Sequence, residues 1–492
     1  MSFWDHVAAE KHLLPYPESP WGPVGFLYPN QYSVGMASLG YQQVYRLFRM
    51  QGLSVERVFF DKKGRETRSV ENQTPLFRFP LLAASYIYEL DILNLVQMLL
   101  HGGVAPMAAE RGDDAPLLLM GGTAASDNPA LLARLADAIV LGEGEGVIPA
   151  IAAALQETGF GSKAKLLAKL AAIPHIYVPA IHGEYNAAQF TRYLLDPIDS
   201  VPCHTAILAP ADEFSGAFLL ELCRGCKYRC KFCVVHYMSG TARYRKMEDL
   251  LGVLEMYKDH YSKVGLLGAA VADHPQVTEV AEWVVRQGKQ VSTSSLRAER
   301  LNGPLLDLLQ QGGQKTITVA PEAGDLEIRR NLLKGVKDEK YFALAEEAGK
   351  RGFQQIKLYF LLGTPGADPM DEASAIIQFA ETMGAIFSKN GGGKLVVACS
   401  PLVPKPTTPW ADVPLWDAKQ IKKASRVIRK KLAFQGNMKV PPINVKEAVL
   451  EALLSWAGPD AIDEILRLAH ANESIEQGFE GVSLDSFRPG RG

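Results

Sequence analysis

The chain has 492 residues, 47% of them hydrophobic and 22% charged, with a formal net charge of −2. That is too long for one ordinary domain and too apolar for a disordered chain. Near-neutral charge gives no electrostatic reason to expect nucleic acid or an anionic membrane as partner, and no apolar run approaches the ~18 residues that span a bilayer. The first twenty residues carry acids, histidines and three prolines where a secretory signal has an apolar core. This start predicts a cytoplasmic chain with reduced thiols.

In chain order, "VGFLYP" (24–29) reads as a buried strand, followed by a loop with Gly35 and Gly40 and a helix over about 41–50. "SVERVFF" (54–60), "APLLLMGG" (115–122) and "LADAIVLGEGE" (135–145) read as further strands, the last two ending in glycine turns. Strands alternating with helices and ending in glycine loops predict a Rossmann-like doubly wound parallel sheet, with ligands at the carboxyl ends of its strands. Residues 158–205 are irregular and proline-rich, and read as a linker.

A second rhythm follows, with strand-like runs at 216–222, 263–269, 289–296, 314–321, 354–363 and 394–402 and helix-period segments between most of them. Six strand–helix units predict a partial (β/α)6 TIM barrel, with chemistry at its carboxyl-end face. Beyond "PLVPKPTTPWADVP" the chain reads as helical, strongly basic over 422–431, and the last dozen residues read as a loose tail. The expected division is residues 1–200 with the linker, a barrel over 206–402, and a helical C-terminal region over 403–492.

"ELCRGCKYRCKFC" (221–233) holds four of the six cysteines, spaced Cys223-x2-Cys226-x3-Cys230-x2-Cys233. In a reducing compartment such a group reads as metal-binding or catalytic. Zinc sites ordinarily join two cysteine pairs across a dozen or more residues, so three residues between pairs are cramped for a four-thiolate tetrahedron. Two-cluster ferredoxins need a proline after the last cysteine and a second set of ligands, and neither is present. Three thiolates in a short loop suit a cubane cluster that keeps one iron open.

"RGCKYRCKFC" resembles the cluster loop of the radical S-adenosylmethionine (SAM) superfamily, Cys-x3-Cys-x2-Cys with an aromatic before the last cysteine. The resemblance implies a 4Fe–4S cluster on Cys226, Cys230 and Cys233, with Phe232 beside the adenine of SAM and Cys223 outside the motif. "GLLGAAVADHP" stands where the family often has Gly-Gly-Glu. Here the sequence is Gly268-Ala269-Ala270, so the acidic contact is missing and backbone carbonyls would have to receive the methionine amino group. "SSLRAERL" resembles a segment in which Ser295 and Arg297 would meet the ribose and carboxylate. Glu322, Lys357 and Tyr359 would face the pocket from later strands.

The first domain resembles the cobalamin-binding domain of one branch of that superfamily. Ser38, Gly40, Gly121, Gly122, Thr123, Gly142, Glu143 and Glu145 would border the corrin and its nucleotide tail. No Asp-x-His-x-x-Gly is present, so no histidine is placed to ligate cobalt.

The cysteines outside the motif, Cys203, Cys223 and Cys399, are too few and too scattered for an auxiliary cluster, which disfavours sulfur insertion. The resemblance thus implies reductive cleavage of SAM and hydrogen abstraction from a small-molecule substrate, with cobalamin-dependent methylation as the leading outcome. It also implies a reductant such as flavodoxin or ferredoxin. Cyclisation or rearrangement without cobalamin is the alternative outcome, and a non-catalytic iron–sulfur scaffold the rival of another class.

Overall fold

The computed structural model describes residues 3–13, 21–63, 66–159 and 161–479, and the expected tail lies outside them. The chain divides into two compact units, one of residues 1–197, 203–216 and 450–492, the other of 198–202 and 217–449. The expected C-terminal region is therefore not separate. Residues 403–449 belong to the second unit and 450–492 return to the first.

The first unit is built on a six-stranded sheet. Its strands are β1 (Trp21–Tyr28), β2 (Leu53–Phe59), β3 (Leu81–Ser85), β4 (Leu117–Gly121), β5 (Ala138–Val140) and β6 (Ile176–Tyr177). They lie in the order 2-1-3-4-5-6, parallel except for β6, which pairs antiparallel with β5. β3 was not expected. "LLAAS" is five residues with no alternation, which local pattern does not separate from a buried helix turn. All five are buried between β1 and β4, where a parallel sheet takes continuous apolar runs.

Two other expectations change. Gly35 and Gly40 sit inside the helices Tyr32–Ala37 and Leu39–Met50 rather than in a loop. The expected linker is partly regular, since it contains the helix Lys163–Ala171 and supplies β6.

In a sheet of order 2-1-3-4-5 the strand order reverses between β1 and β3, and that is where ligands bind. The carboxyl ends of these two strands lead into Asn30 and into Tyr86–Tyr88. Near them the Asp91 carboxylate accepts from Asn30 Nδ2 at 2.9 Å and from Asn94 Nδ2 at 3.4 Å. Burial pushes the Asp91 pKa up to about 7, against the lowering effect of the two asparagines.

The second unit carries β7 (Phe218–Glu221), β8 (Lys263–Leu267), β9 (Gln290–Thr293), β10 (Thr316–Glu322), β11 (Gln355–Leu362) and β12 (Lys394–Pro401). They pair in parallel in chain order, and a single bridge from Leu296 to Val319 joins the first three to the last three. The six runs expected to be strands form these six, with ends shifted by up to three residues. On β11, Ile356, Leu358, Phe360 and Leu362 are buried, and Phe360 meets Phe379 of the helix Pro369–Lys389 edge-on at 5.8 Å. Lys357, Tyr359 and Leu361 lie on the other, half-buried face. That face stays partly open and carries polar groups.

A buried ion pair ties the chain start to β2 of the first unit. Arg57 donates to both oxygens of Glu10, each at 2.7 Å, and through Nε to Glu71 at 2.6 Å. Burial pushes the Glu10 carboxyl up, but hydrogen bonds from His12, Arg57 and Tyr32 and the Arg57 charge outweigh it and hold the pKa at about 2. A depressed carboxylate contributes stability above its ordinary value of 4.5, and this is lost as pH falls through about 2. Glu10→Gln should cost about 3 kcal/mol at pH 7, because it leaves Arg57 buried with one carboxylate fewer. Urea unfolding of the two chains should show that difference shrinking steadily below pH 4.5.

Candidate active site

The site grows out of the carboxyl end of β7. Cys223–Arg224 pairs antiparallel with Arg243–Tyr244, so the residues between them return on themselves as a closed loop. Gly225 has φ +73°, and a side chain there would overlap the carbonyls of Gly240 and Thr241. That close approach lets Cys226 N donate to Gly240 O at 3.1 Å. His236, in the short helix Val234–Ser239, meets the Cys226 carbonyl through Nδ1 at 2.6 Å, which assigns the proton to that nitrogen. Cys233 N donates to Cys230 O at 3.1 Å, closing the second turn.

Two other segments brace this loop. Lys231 N donates to Leu332 O, and Trp410 N donates to Lys231 O, both at 3.2 Å. Phe232 packs against the cluster of Ala323, Leu332, Leu402 and Trp410, together with Leu361 and Trp416.

Cys230 is buried, Cys226 and Cys233 are half-buried, and none is in a disulfide. Burial raises the pKa of Cys230 and Cys233. The neighbouring thiols raise both further, and Lys334 lowers both. Cys226 is thus close enough for its charge to act on both. Among the described residues no three Cys, His, Asp or Glu side chains meet tightly enough to hold a single metal ion. Three unpaired thiols on one short loop beside a lysine are a donor set that fits a 4Fe–4S cluster.

Cys223 stands apart from them. It is buried against Gly268, where an added Cβ would lie 2.5 Å from its Sγ, and burial pushes its pKa up to about 11.

Of the other candidates in this unit, Arg297 lies at the carboxyl end of β9. Its guanidinium carbon is 3.5 Å from the centre of the Tyr228 ring, and its Nε donates to Glu299 at 2.6 Å. Ser295 is exposed nearby, and Ala269 follows Gly268 after β8. Glu322 ends β10 with φ +68°, an uncommon conformation for a side chain of that size, and accepts from Lys334 Nζ at 2.7 Å. Lys357 lies over the Tyr359 ring at 4.7 Å on the open face of β11. His274 and Cys399 are structural. His274 Nε2 meets the Arg245 carbonyl at 2.8 Å, and Cys399 is buried on the covered face of β12.

The first-unit candidates divide. Ser38 caps the helix Leu39–Met50 by accepting from Tyr41 N, Gly40 has open space beside it, and Thr123 is exposed at the start of a short helix. Gly121 ends β4, and Gly122 closely approaches the Tyr86 carbonyl. The turn after β5 is filled by the chain itself. Gly142, at φ +98°, passes so close to the Tyr193 backbone that a Cβ would overlap it. Glu143 accepts from Leu195 N at 2.7 Å, and Glu145 is buried and accepts from Gln43 at 3.4 Å.

Two family models match the chain: the N-terminal region of radical SAM proteins over residues 40–179 and the radical SAM superfamily over 220–380. An uncharacterised protein of Methanocaldococcus jannaschii is 26% identical over 438 residues, 88% of each chain. Cytidylyl-2-hydroxyethylphosphonate methyltransferase of Streptomyces wedmorensis is 23% identical over 238 residues, 46% of this chain and 42% of that one. Among solved structures, the radical SAM methyltransferase TsrM of Kitasatospora setae, with cobalamin and a 4Fe–4S cluster bound, superposes with a TM-score of 0.61. It is 14% identical, covering 92% of this chain and all of that one. The cobalamin-dependent radical SAM enzyme OxsB matches at 0.53, also 14% identical, over 75% of this chain and 55% of that one. At such identities the structures speak for the fold. The chain belongs to the radical SAM superfamily.

Several residues the motif does not name shape the site, namely Tyr228, His236, Asp273 and Lys334. Tyr228 was in view, inside the spacer between two ligands, but spacing gives no sign of what a spacer residue touches. The division of the four cysteines is directly testable. Anaerobic reconstitution of Cys223→Ala should load iron as the parent chain does. Cys226→Ala, Cys230→Ala and Cys233→Ala should each lose most of it, read as iron per chain and absorbance near 400 nm.

Proposed function

We propose that this chain is a radical SAM enzyme that cleaves SAM reductively, abstracts hydrogen from a small-molecule substrate and methylates it with the help of cobalamin. The observation that carries the reading is the loop of three unpaired thiols at the carboxyl end of β7 in a chain of this superfamily. The bound groups supply the chemistry: the cluster the electron that splits SAM to a 5′-deoxyadenosyl radical, and cobalamin the methyl carriage.

The chain's own residues bind and orient. Cys226, Cys230 and Cys233 hold three corners and leave a fourth for SAM. Arg297 would take the SAM carboxylate, since a guanidinium can donate two parallel hydrogen bonds to it. Ser295 would meet the ribose, and Phe232 the adenine. The carbonyls at Gly268 and Ala269 would take the ammonium, as no acid stands there. Lys357 and Tyr359, on the half-buried face of β11, and Glu322, at the end of β10, would line the pocket of a six-stranded partial barrel, where water must be kept from a reactive radical.

For the first unit, the support is the strand-order reversal between β1 and β3. Corrin would lie over Ser38, Gly40 and Gly121–Thr123, together with the half-exposed Ile87 and Tyr88. The turn at Gly142–Glu145 is filled by residues 193–195, so it would border the ligand only from outside. The one-electron donor would be a protein such as flavodoxin or ferredoxin.

A chain reconstituted anaerobically should hold about four irons, release 5′-deoxyadenosine from SAM on reduction and retain a corrin spectrum when loaded with hydroxocobalamin. Iron uptake with no deoxyadenosine under any reductant contradicts the reading. Cleavage with no corrin retained favours a cobalamin-free cyclisation or rearrangement.

A further inference from the structure

We propose that Tyr228 is a positioning residue that presents Arg297 to the carboxylate of SAM, with Asp273 as the anchor of the pair. The proposal rests on the assignment of Arg297 to that carboxylate and adds what makes the arginine competent.

Tyr228 lies in the three-residue spacer between Cys226 and Cys230, so its ring moves with the cluster loop. The Arg297 guanidinium carbon lies over that ring, 3.5 Å from its centre, a cation–π contact at close range. The ring itself is held at its far end. The Tyr228 hydroxyl donates to Asp273 Oδ1 at 3.0 Å and accepts from Arg300 Nε at 3.2 Å. The same Asp273 oxygen pairs with Lys227 and with Arg300, each at 2.7 Å. Asp273 is almost wholly buried, and its second oxygen has no hydrogen-bond partner among the described residues. This one carboxylate therefore ties together the loops that follow β7, β8 and β9.

The geometry of Arg297 shows what the shelf achieves. The ring covers one side of the guanidinium, and Glu299 takes its Nε. The two terminal nitrogens have no hydrogen-bond partner among the described residues, and both are open to solvent. The edge left free is the one that binds a carboxylate with two parallel bonds. An arginine on a mobile side chain would have to be ordered by the ligand. Here it is ordered beforehand, at a spacing from the thiols fixed by the Tyr228 backbone.

The test compares two probes on reconstituted protein with the cluster oxidised, by calorimetric titration. SAM carries the carboxylate, and 5′-methylthioadenosine lacks it. Tyr228→Leu should keep its iron, bind SAM about tenfold more weakly and bind methylthioadenosine as before. Tyr228→Phe, which keeps the ring, should retain most of the preference for SAM. Equal weakening toward both probes, an equal effect of the Phe and Leu variants, or iron loss in the Leu variant alone would overturn the proposal. Each would show that contact between the ring and the arginine does not set the preference for the carboxylate. Arg297→Gln is the separate control. If it leaves SAM affinity unchanged, the assignment of Arg297 fails, whatever Tyr228 does.

Discussion

Three thiols have to leave an eight-residue stretch on a common side, and a backbone that short does this only if it is fixed from outside. Most of the contacts around Cys226–Cys233 meet that requirement. Gly225 and Gly240 bring the loop's two ends together, His236 ties back the Cys226 carbonyl, and Leu332 and Trp410 brace Lys231. Leu332 comes from the segment after β10 and Trp410 from the segment after β12, so the parallel strand array and the thiol geometry depend on each other. Cys223 illustrates the same constraint from the other side. It is held under Gly268 by packing, with a thiol that burial keeps protonated.

Charge is arranged around the loop as well as shape. Lys334 lowers the pKa of the two thiols that burial raises, and it is held by Glu322, a residue in a strained conformation at its strand end. Strain at such a position is tolerated where the surroundings over-determine it. The buried Arg329, bonded to Asp338 and to the Ala323 and Val336 carbonyls, does that for residues 323–338. A segment that would otherwise be a loose loop thus presents Leu332, Leu333 and Lys334 to the cysteines.

The parts of this molecule legible in the sequence are those with local signatures. The six strands of the second unit were readable because each is a short apolar run between glycine turns and helical segments. The cysteine loop was readable because ligand spacing is a strictly local property. β3 was not, since "LLAAS" has no period, and without β3 the reversal point between β1 and β3 could not be located. Apart from Ser38 and Gly40, which follow β1, the candidates in the first unit were accordingly placed at the ends of β4 and β5. Gly142 is small to admit Tyr193, a contact across some fifty residues that no local pattern encodes. Asp273 and Tyr228 escaped for the same reason, because their partners come from three successive strand ends.

The central claim is that three thiols hold the cluster and leave one iron for SAM. Electron–nuclear double resonance of the reduced, reconstituted chain with SAM labelled in its amino nitrogen and carboxylate tests it directly. The account predicts that both labels couple to the cluster, and that the label-specific signals are replaced by those of the natural isotopes with unlabelled SAM. A cluster that forms and reduces normally yet shows no coupling to either label would contradict it.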